Sequence, residues 1–417
     1  MRILLLAALV SVAAPVTAQV SLGLEGGLSS RRNITRAVLP EDQVDDDVAY
    51  LGAEIAHTSS TVHIATDLSY GFTREKYLNN SFSDSDLISG SGSILLRDAR
   101  GTMSWVLENN TDESTINVLD PDVPENRDRI SSTSTGPTLN FWLSQRESVG
   151  VTVLRTWVRT SLGFSGSDSL KYSLQWNRTI SSKLDMVLAV SRKETEPLYS
   201  DPLTQDRANL TLTRRLRLGG VNLMVGHVRL DDKDGEKIGD SPEYQLSLDW
   251  TADRQTLTAE YSRIVSESGA EDRVGRGGPV LPGSPVFELN LIDTKALGYE
   301  FALVPNRLLF NLDGTREQRQ GALADSRINV ETLGTGLSWQ LRKSVVQFKV
   351  ELENRESETD FESGSTEQTN YYLSYERPIG QSMNVSLSYE RQVFDTGLDD
   401  SNPVSEFIEA RFTYDVY

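Results

Sequence analysis

The chain holds three histidines, His57, His63 and His227, and no cysteine. A hydrolytic or acyl-transfer site needs a nucleophile or an activated water beside a base. No motif sets a serine or an aspartate beside any of the three. There is no G-x-S-x-G, no H-E-x-x-H and no phosphate-binding loop. The expectation is therefore a non-enzyme with no catalytic residue. Without cysteine, disulfides and thiolate metal sites are excluded. Acidic residues at alternate positions precede a glycine in Asp232-Lys233-Asp234-Gly235, as in a calcium loop. Leu230 stands where the first ligand belongs, so the motif is broken. That segment, Asp45-Asp46-Asp47 and Asp399-Asp400 read as solvated loops, and no metal or cofactor is expected.

The remaining chemistry lies in charges that alternate with apolar residues. Leu170, Tyr172, Leu174 and Trp176 alternate with Lys171, Ser173, Gln175 and Asn177. Val346, Phe348, Val350 and Leu352 alternate with Gln347, Lys349, Glu351 and Glu353. The same pattern recurs at 244–250, 297–303, 371–375 and 383–389. Period-two alternation gives a strand one apolar and one polar face. The polar faces carry Lys171, Lys193, Arg215, Arg217, Lys349 and Arg411. They also carry Asp67, Glu108, Glu243, Asp249, Glu260, Glu300, Asp313, Glu351, Glu353, Glu376, Glu390 and Glu409. Lining a water-filled lumen, such charges set a transverse field and tune selectivity. Acids predominate, which implies a mild cation preference. The alternative is that they are mutually paired, solvated residues. Between about Ser266 and Leu291, Gly277, Pro279 and Pro285 preclude regular structure. Leu281 and Phe287 are apolar for an exposed loop, so this segment either packs on its neighbours as a surface loop or folds inward and constricts the channel.

The elements that must position these residues are strands from end to end. Connections alternate short and long: nine short ones, starting near 57–61 and ending near 378–381, and ten longer polar stretches, starting near 29–47 and ending near 395–403. That implies a single antiparallel transmembrane β-barrel of about 20 strands, uncertain by two, with short periplasmic turns and longer extracellular loops. Trp105, Trp176, Trp250, Trp339 and Tyr375 fall near the short turns, as an inner aromatic girdle would. Tyr70, Phe72, Tyr172, Tyr244 and Tyr371 fall at the opposite ends. The phasing turns His57 outward and His63, Trp142 and Tyr372 inward. No charge-rich linker divides the chain.

The first residues, MRILLLAALVSVAAPVTA, have one basic residue, about ten apolar ones and small residues before position 19. This reads as a signal peptide over residues 1–18, cleaved to leave a barrel over 19–417. Formal charge is −19, or −20 without Arg2, which argues against a nucleic-acid partner. The chain ends on an aromatic, Tyr417, but its last apolar series is Ile408, Ala410, Phe412, Tyr414 and Val416, one residue out of phase.

Signal peptide, hairpin periodicity and terminal aromatic together resemble the bacterial outer-membrane β-barrel families of the porin type. Some members of these accompany exopolysaccharide synthesis and export. The resemblance covers the whole mature chain. It implies an outer-membrane location, passive passage of small hydrophilic solutes, and assembly by periplasmic chaperones and the barrel-assembly machinery. Outer-membrane lipid and lipopolysaccharide would be the surrounding partners. The alternatives are an exporter pore for a polysaccharide, or a plugged structural or enzymatic barrel. Oligomeric state is not indicated.

Overall fold

The computed structural model describes residues 19–37, 39–115, 123–161, 166–198, 201–267, 289–321, 327–358, 363–395 and 402–416. Segment 1–18, where the signal peptide is expected, lies outside the described residues. The strands are β1 Gln19–Arg32, β2 Asp46–Ser60, β3 Ile64–Tyr77, β4 Ser85–Arg97, β5 Met103–Thr115, β6 Arg127–Ser144, β7 Glu147–Thr160, β8 Gly166–Ser181, β9 Leu184–Pro197 and β10 Leu203–Leu216. They continue as β11 Gly219–Asp232, β12 Lys237–Ala252, β13 Gln255–Glu267, β14 Leu289–Val304, β15 Leu308–Gly321, β16 Arg327–Gln340, β17 Val345–Glu358, β18 Ser363–Ile379, β19 Met383–Asp395 and β20 Val404–Val416. Two one-turn 3-10 helices, Pro40–Asp42 and Pro124–Asn126, complete the described elements.

Each strand pairs antiparallel with its sequence neighbour, and β1 pairs with β20 from Leu22↔Val416 to Arg32↔Glu406. The sheet is thus a closed ring of 20 strands. Closure is the physical solution to unpaired strand edges, and it leaves no backbone group of the ladder to lipid. At one end, turns of two to five residues join each even strand to the next odd one. They are tight: Asn306 at φ 57° and Gly380 at φ 76° supply left-handed corners. Gly219 starts β11 at φ 152°, where an added Cβ would lie 1.8 Å from the Asp249 carbonyl oxygen.

The long-connection end, extracellular by the usual rule for such barrels, departs from expectation in one respect. Several stretches expected to be loop are strand. β9 runs to Pro197 and β10 starts at Leu203; β11 runs to Asp232 and β12 starts at Lys237. Above the apolar band both faces of a hairpin are wet, so the alternation in sequence stops while the hydrogen-bond ladder continues. Cross-strand polar pairs such as Thr204↔Asp231 and Asp231↔Lys237 occupy it.

The apolar rows face outward. Leu174, Leu246, Leu333, Leu337, Trp339, Phe348, Leu373 and Phe412 are all exposed large hydrophobics. In a soluble protein such a surface is a liability; around a barrel it is the lipid-facing band. The series Ile408, Ala410, Phe412, Tyr414 and Val416 lies on the same outward face of β20. The buried apolar residues among the described ones sit at the extracellular ends of the strands and in the loops there: Ile34, Val48, Tyr77, Val123, Ile130, Val158, Val228, Leu230, Val265, Ile292 and Phe394. The core is therefore a collar at the mouth rather than a centre.

Candidate functional site

The lumen is the candidate site, and strand parity places its side chains. Lys171, Arg215, Asp249, Glu260, Glu300, Lys349, Glu351 and Glu376 stand on the face opposite the exposed apolar rows, and all are at least partly solvent-accessible. Lys193, Asp67, Glu108, Asp313, Glu353, Glu390, Glu409 and Arg411 share that face. Many are paired across strands. Arg215 reaches Asp185 at 3.4 Å and Gln245 donates to Glu260 at 3.1 Å, while Lys349 reaches Glu351 along β17 at 2.6 Å. Arg411 pairs with Glu25, and the Tyr50 hydroxyl donates to Glu409. Trp142 and Tyr372 also fall on the inward face. The wall of β3 to β6 holds a recess of about 270 Å³ lined by Asp67, Glu108, Asn110 and small serines.

Three placements differ from the sequence expectation. Arg217 lies in the two-residue turn between β10 and β11, so it is at the rim and not on the wall. The strand ends at Leu216, because Gly219 must start the next one in a conformation only glycine adopts readily. His63 was expected to face inward but stands in the turn after β2, its Nδ1 3.3 Å from the Arg97 carbonyl oxygen. Glu243 does face inward but is only 2% exposed, so it does not line a water-filled wall. Gly277, Pro279, Leu281, Pro285 and Phe287 lie outside the described residues; the strands that carry that segment, β13 and β14, do not.

Those strands explain Glu243. The β12–β13 ladder stops at Tyr244↔Arg263, although both strands run on. Val265 has outward parity on β13, yet it is buried against Val228 and Leu230, which have inward parity on β11. The two can touch only if the upper end of β13 lies inside the β11 wall. Leu291 of β14 joins the same cluster. Parting the strands leaves the Val265 backbone without its ladder partner. Glu243 accepts the Val265 N–H at 3.0 Å, and Arg207 donates to the Val265 carbonyl at 2.9 Å. Arg207 and Glu243 are themselves 3.0 Å apart. A buried charge pair that satisfies the orphaned backbone is what makes the inward lean affordable, since unsatisfied buried groups cost about 1–3 kcal/mol each.

The same device recurs at β4–β5. Their ladder stops at Gly90↔Thr111. Glu113 accepts the Ile88 N–H at 3.3 Å, and Arg129, 3.0 Å from Glu113, donates to the Asp86 carbonyl at 3.0 Å. Arg127, of outward parity on β6, is buried against Glu75 of inward parity on β3 at 2.8 Å, and Arg31 reaches the same carboxylate at 2.9 Å. The β5–β6 end thus also leans inward.

Loops complete the collar. Asp46 accepts the N–H groups of Asn79 and Ser81 at 2.9 and 3.0 Å, and Asp45 accepts that of Asn33 at 2.7 Å. This corrects the reading of Asp45-Asp46-Asp47 as a solvated loop: two of its carboxylates tie connections together. Ser83 donates twice to Glu125 on the β5–β6 connection. Burial alone would raise the Glu125 carboxyl, but the Ser83 bonds outweigh it and hold it below the usual carboxylate range. Sequence reasoning missed the whole clamp. Its only signal was the local excess of arginine and glutamate beside strand ends.

With closure, turn asymmetry and outward apolar rows established, comparison with solved structures is informative. The fold is shared with solved outer-membrane β-barrels. A point mutant of the ferric enterobactin receptor PfeA from Pseudomonas aeruginosa is similar with a TM-score of 0.52 at 10% identity, over 94% of this chain and 80% of that one. The FrpB iron transporter from Neisseria meningitidis (F5-1 variant) is similar with a TM-score of 0.51 at 10% identity, over 95% and 82%. The outer-membrane protein OpdK from Pseudomonas aeruginosa aligns over 96% and 98% at 10% identity, with a TM-score of 0.42. No protein-family model and no curated protein matches the chain. At such identities the likeness is one of fold.

Proposed function

We propose that this barrel sits in the outer membrane and is a diffusion pore for small hydrophilic solutes, with a mild preference for cations. The observation that carries this reading is the contrast along the lumen. Charged inward residues such as Asp249, Glu300 and Glu376 are exposed to water, while the buried charged and apolar residues among the described ones lie in the extracellular collar. A closed barrel of 20 strands falls between the roughly 16–18 strands of open porins and the roughly 22 of plugged transporters, so width alone does not decide between them. A polar, wetted wall below a narrowed mouth supports an open one. The test is the conductance of the purified full chain in a planar bilayer. Discrete ohmic steps are expected. Zero conductance would overturn the pore reading in favour of a plugged barrel.

An exporter pore for a polysaccharide is the second reading. It draws on the inward rings of Trp142 and Tyr372, which offer stacking surfaces to sugars. Block of the single-channel current by an added soluble polysaccharide, abolished in Trp142→Ala with Tyr372→Ala, would favour it over free diffusion.

A further inference from the structure

The outward face of β13 to β17 carries two adjoining cavities of opposite character. Register fixes the side chains in cross-strand rows. One row is apolar or small: Ala259, Leu297, Gly314, Leu333 and Leu352. The next row toward the extracellular end is Tyr261, Lys295, Arg316 and Glu331. Gly314 interrupts the apolar row. A Cβ there would make only ordinary contacts, 3.6 Å from the Thr332 carbonyl and 3.7 Å from Leu333. The missing side chain leaves a groove of about 660 Å³ walled by Leu297, Leu333 and Leu352 and rimmed by Lys295 and Arg316 with Glu331 and Glu367. Above it, sharing those two cations, is a polar cavity of about 240 Å³ that adds Tyr261, Arg263, Asp293 and Gln318.

Three cations and one carboxylate line the polar cavity, and two of the three cations are ion-paired. Asp293 engages Arg263 at 2.8 and 2.7 Å, and Glu331 outside the cavity reaches Arg316 at 3.2 Å. Lys295 lies 5.7 Å from the centre of the Tyr261 ring and is in no ion pair among the described residues. A second exterior cavity, of about 640 Å³ over Val190 and Ala208, provides a contrast. Its arginines on β9 and β11 are matched: Arg192 with Asp206 and Arg229 with Asp231.

An anion-accepting pocket at the upper edge of the lipid-facing band, continuous with an apolar groove, has the shape and polarity of a single amphiphile. We propose that β13 to β15 bind one phosphorylated, acylated lipid of the outer leaflet, of the lipid A type. Its phosphate meets Lys295, Arg263 and Arg316, and an acyl chain lies in the groove over Gly314. Cations at headgroup height attract anionic lipid, and planar guanidinium groups pair well with phosphate oxygens. The proposal rests on the barrel being embedded in the outer membrane but not on its lumen being open.

Native mass spectrometry of the full chain in neutral detergent tests it, with bisphosphorylated lipid A, its dephosphorylated form and phosphatidylethanolamine as probes. One lipid A is expected per barrel. Binding should weaken about tenfold or more in Lys295→Glu with Arg316→Glu, and similarly for dephosphorylated lipid. Gly314→Trp, which fills the groove and keeps every charge, should also weaken it; Gly314→Leu serves if the tryptophan variant fails to fold. Unchanged heat-modifiable gel mobility confirms folding. Equal affinity in the charge variants, or equal binding of the dephosphorylated lipid, overturns the proposal. So does loss of binding only when Arg192 and Arg229 are replaced. Conductance should not move in the outward variants, so failure here is separate from failure of the pore reading.

Discussion

Glu243 concentrates the strain of the collar in one carboxylate. It is sealed from water, accepts the Val265 N–H and faces Arg207. Removing it leaves the buried Val265 N–H without an acceptor, at a cost of about 1–3 kcal/mol, and leaves the part-exposed Arg207 without its counter-charge. In Glu243→Ala that cost falls where the β12–β13 ladder has already ended, so the upper end of β13 should detach from the β11 wall. The expected outcome is a higher single-channel conductance with more open-state noise. Glu243→Gln keeps an acceptor for the Val265 N–H and loses only the charge, so its change should be smaller. Recordings of both variants that match the parent in amplitude and noise would show that this clamp does not set the mouth. The residue was legible in the sequence as inward-facing, from its parity with Asp249. Its burial was not, because the partner strand that covers it leaves its own ladder, and alternation carries no record of which hairpin leans.

At the level of the strand, alternation predicts sharply asymmetric tolerance. Leu337 and Ser338 are neighbours on β16, one outward and exposed, the other inward. Leu337 lies in an outward apolar row with Phe310 and Phe348, two rows nearer the periplasmic end than Leu333. Arginine on the lipid face costs about 2–4 kcal/mol at the bilayer middle and about 0–1 kcal/mol near the interfaces, and Leu337, one row above Trp339, falls between the two; a lumen substitution is nearly neutral. Leu337→Arg should therefore lower the urea midpoint of unfolding from vesicles, and Ser338→Arg should leave it near the parent value. Equal shifts would mean that the face of β16 has been assigned wrongly. This asymmetry was fully legible in the sequence, as were the strand number and the alternation of turns, because each strand crosses one apolar slab and repeats the same rule. The strand ends were not, as β9 to β12 show. Outside the slab the rule lapses, and cross-strand pairs such as Thr204↔Asp231 read as loop. Arg217 failed for the related reason that a two-residue turn continues the same parity.

At the scale of the whole barrel, what matters is which walls face each other. In a closed ring of 20 strands, β8 to β10 stand opposite β18 to β20. The first wall presents Lys171, Lys193 and Arg215, offset by Asp185, with Arg207 held by Glu243 at the mouth and Lys171↔Lys193 directly paired in register. The second presents Glu376, Glu390 and Glu409, offset by Arg411. No single residue in the sequence marks this arrangement; it appears only when the ring closes through β1 and β20. A lumen so divided carries a field across its axis, and cations track the acidic wall. Lys171→Glu with Lys193→Glu should turn the basic wall acidic and move the reversal potential, in a KCl gradient, further toward the cation limit. Glu376→Gln with Glu390→Gln should move it the opposite way. Both shifts should be large at about 0.1 M salt, where charges act over about 10 Å, and fade near about 1 M, where screening cuts that to about 3 Å. A reversal potential that ignores both pairs at low salt would mean that the current does not run past these walls, and the open-lumen reading would fall with it.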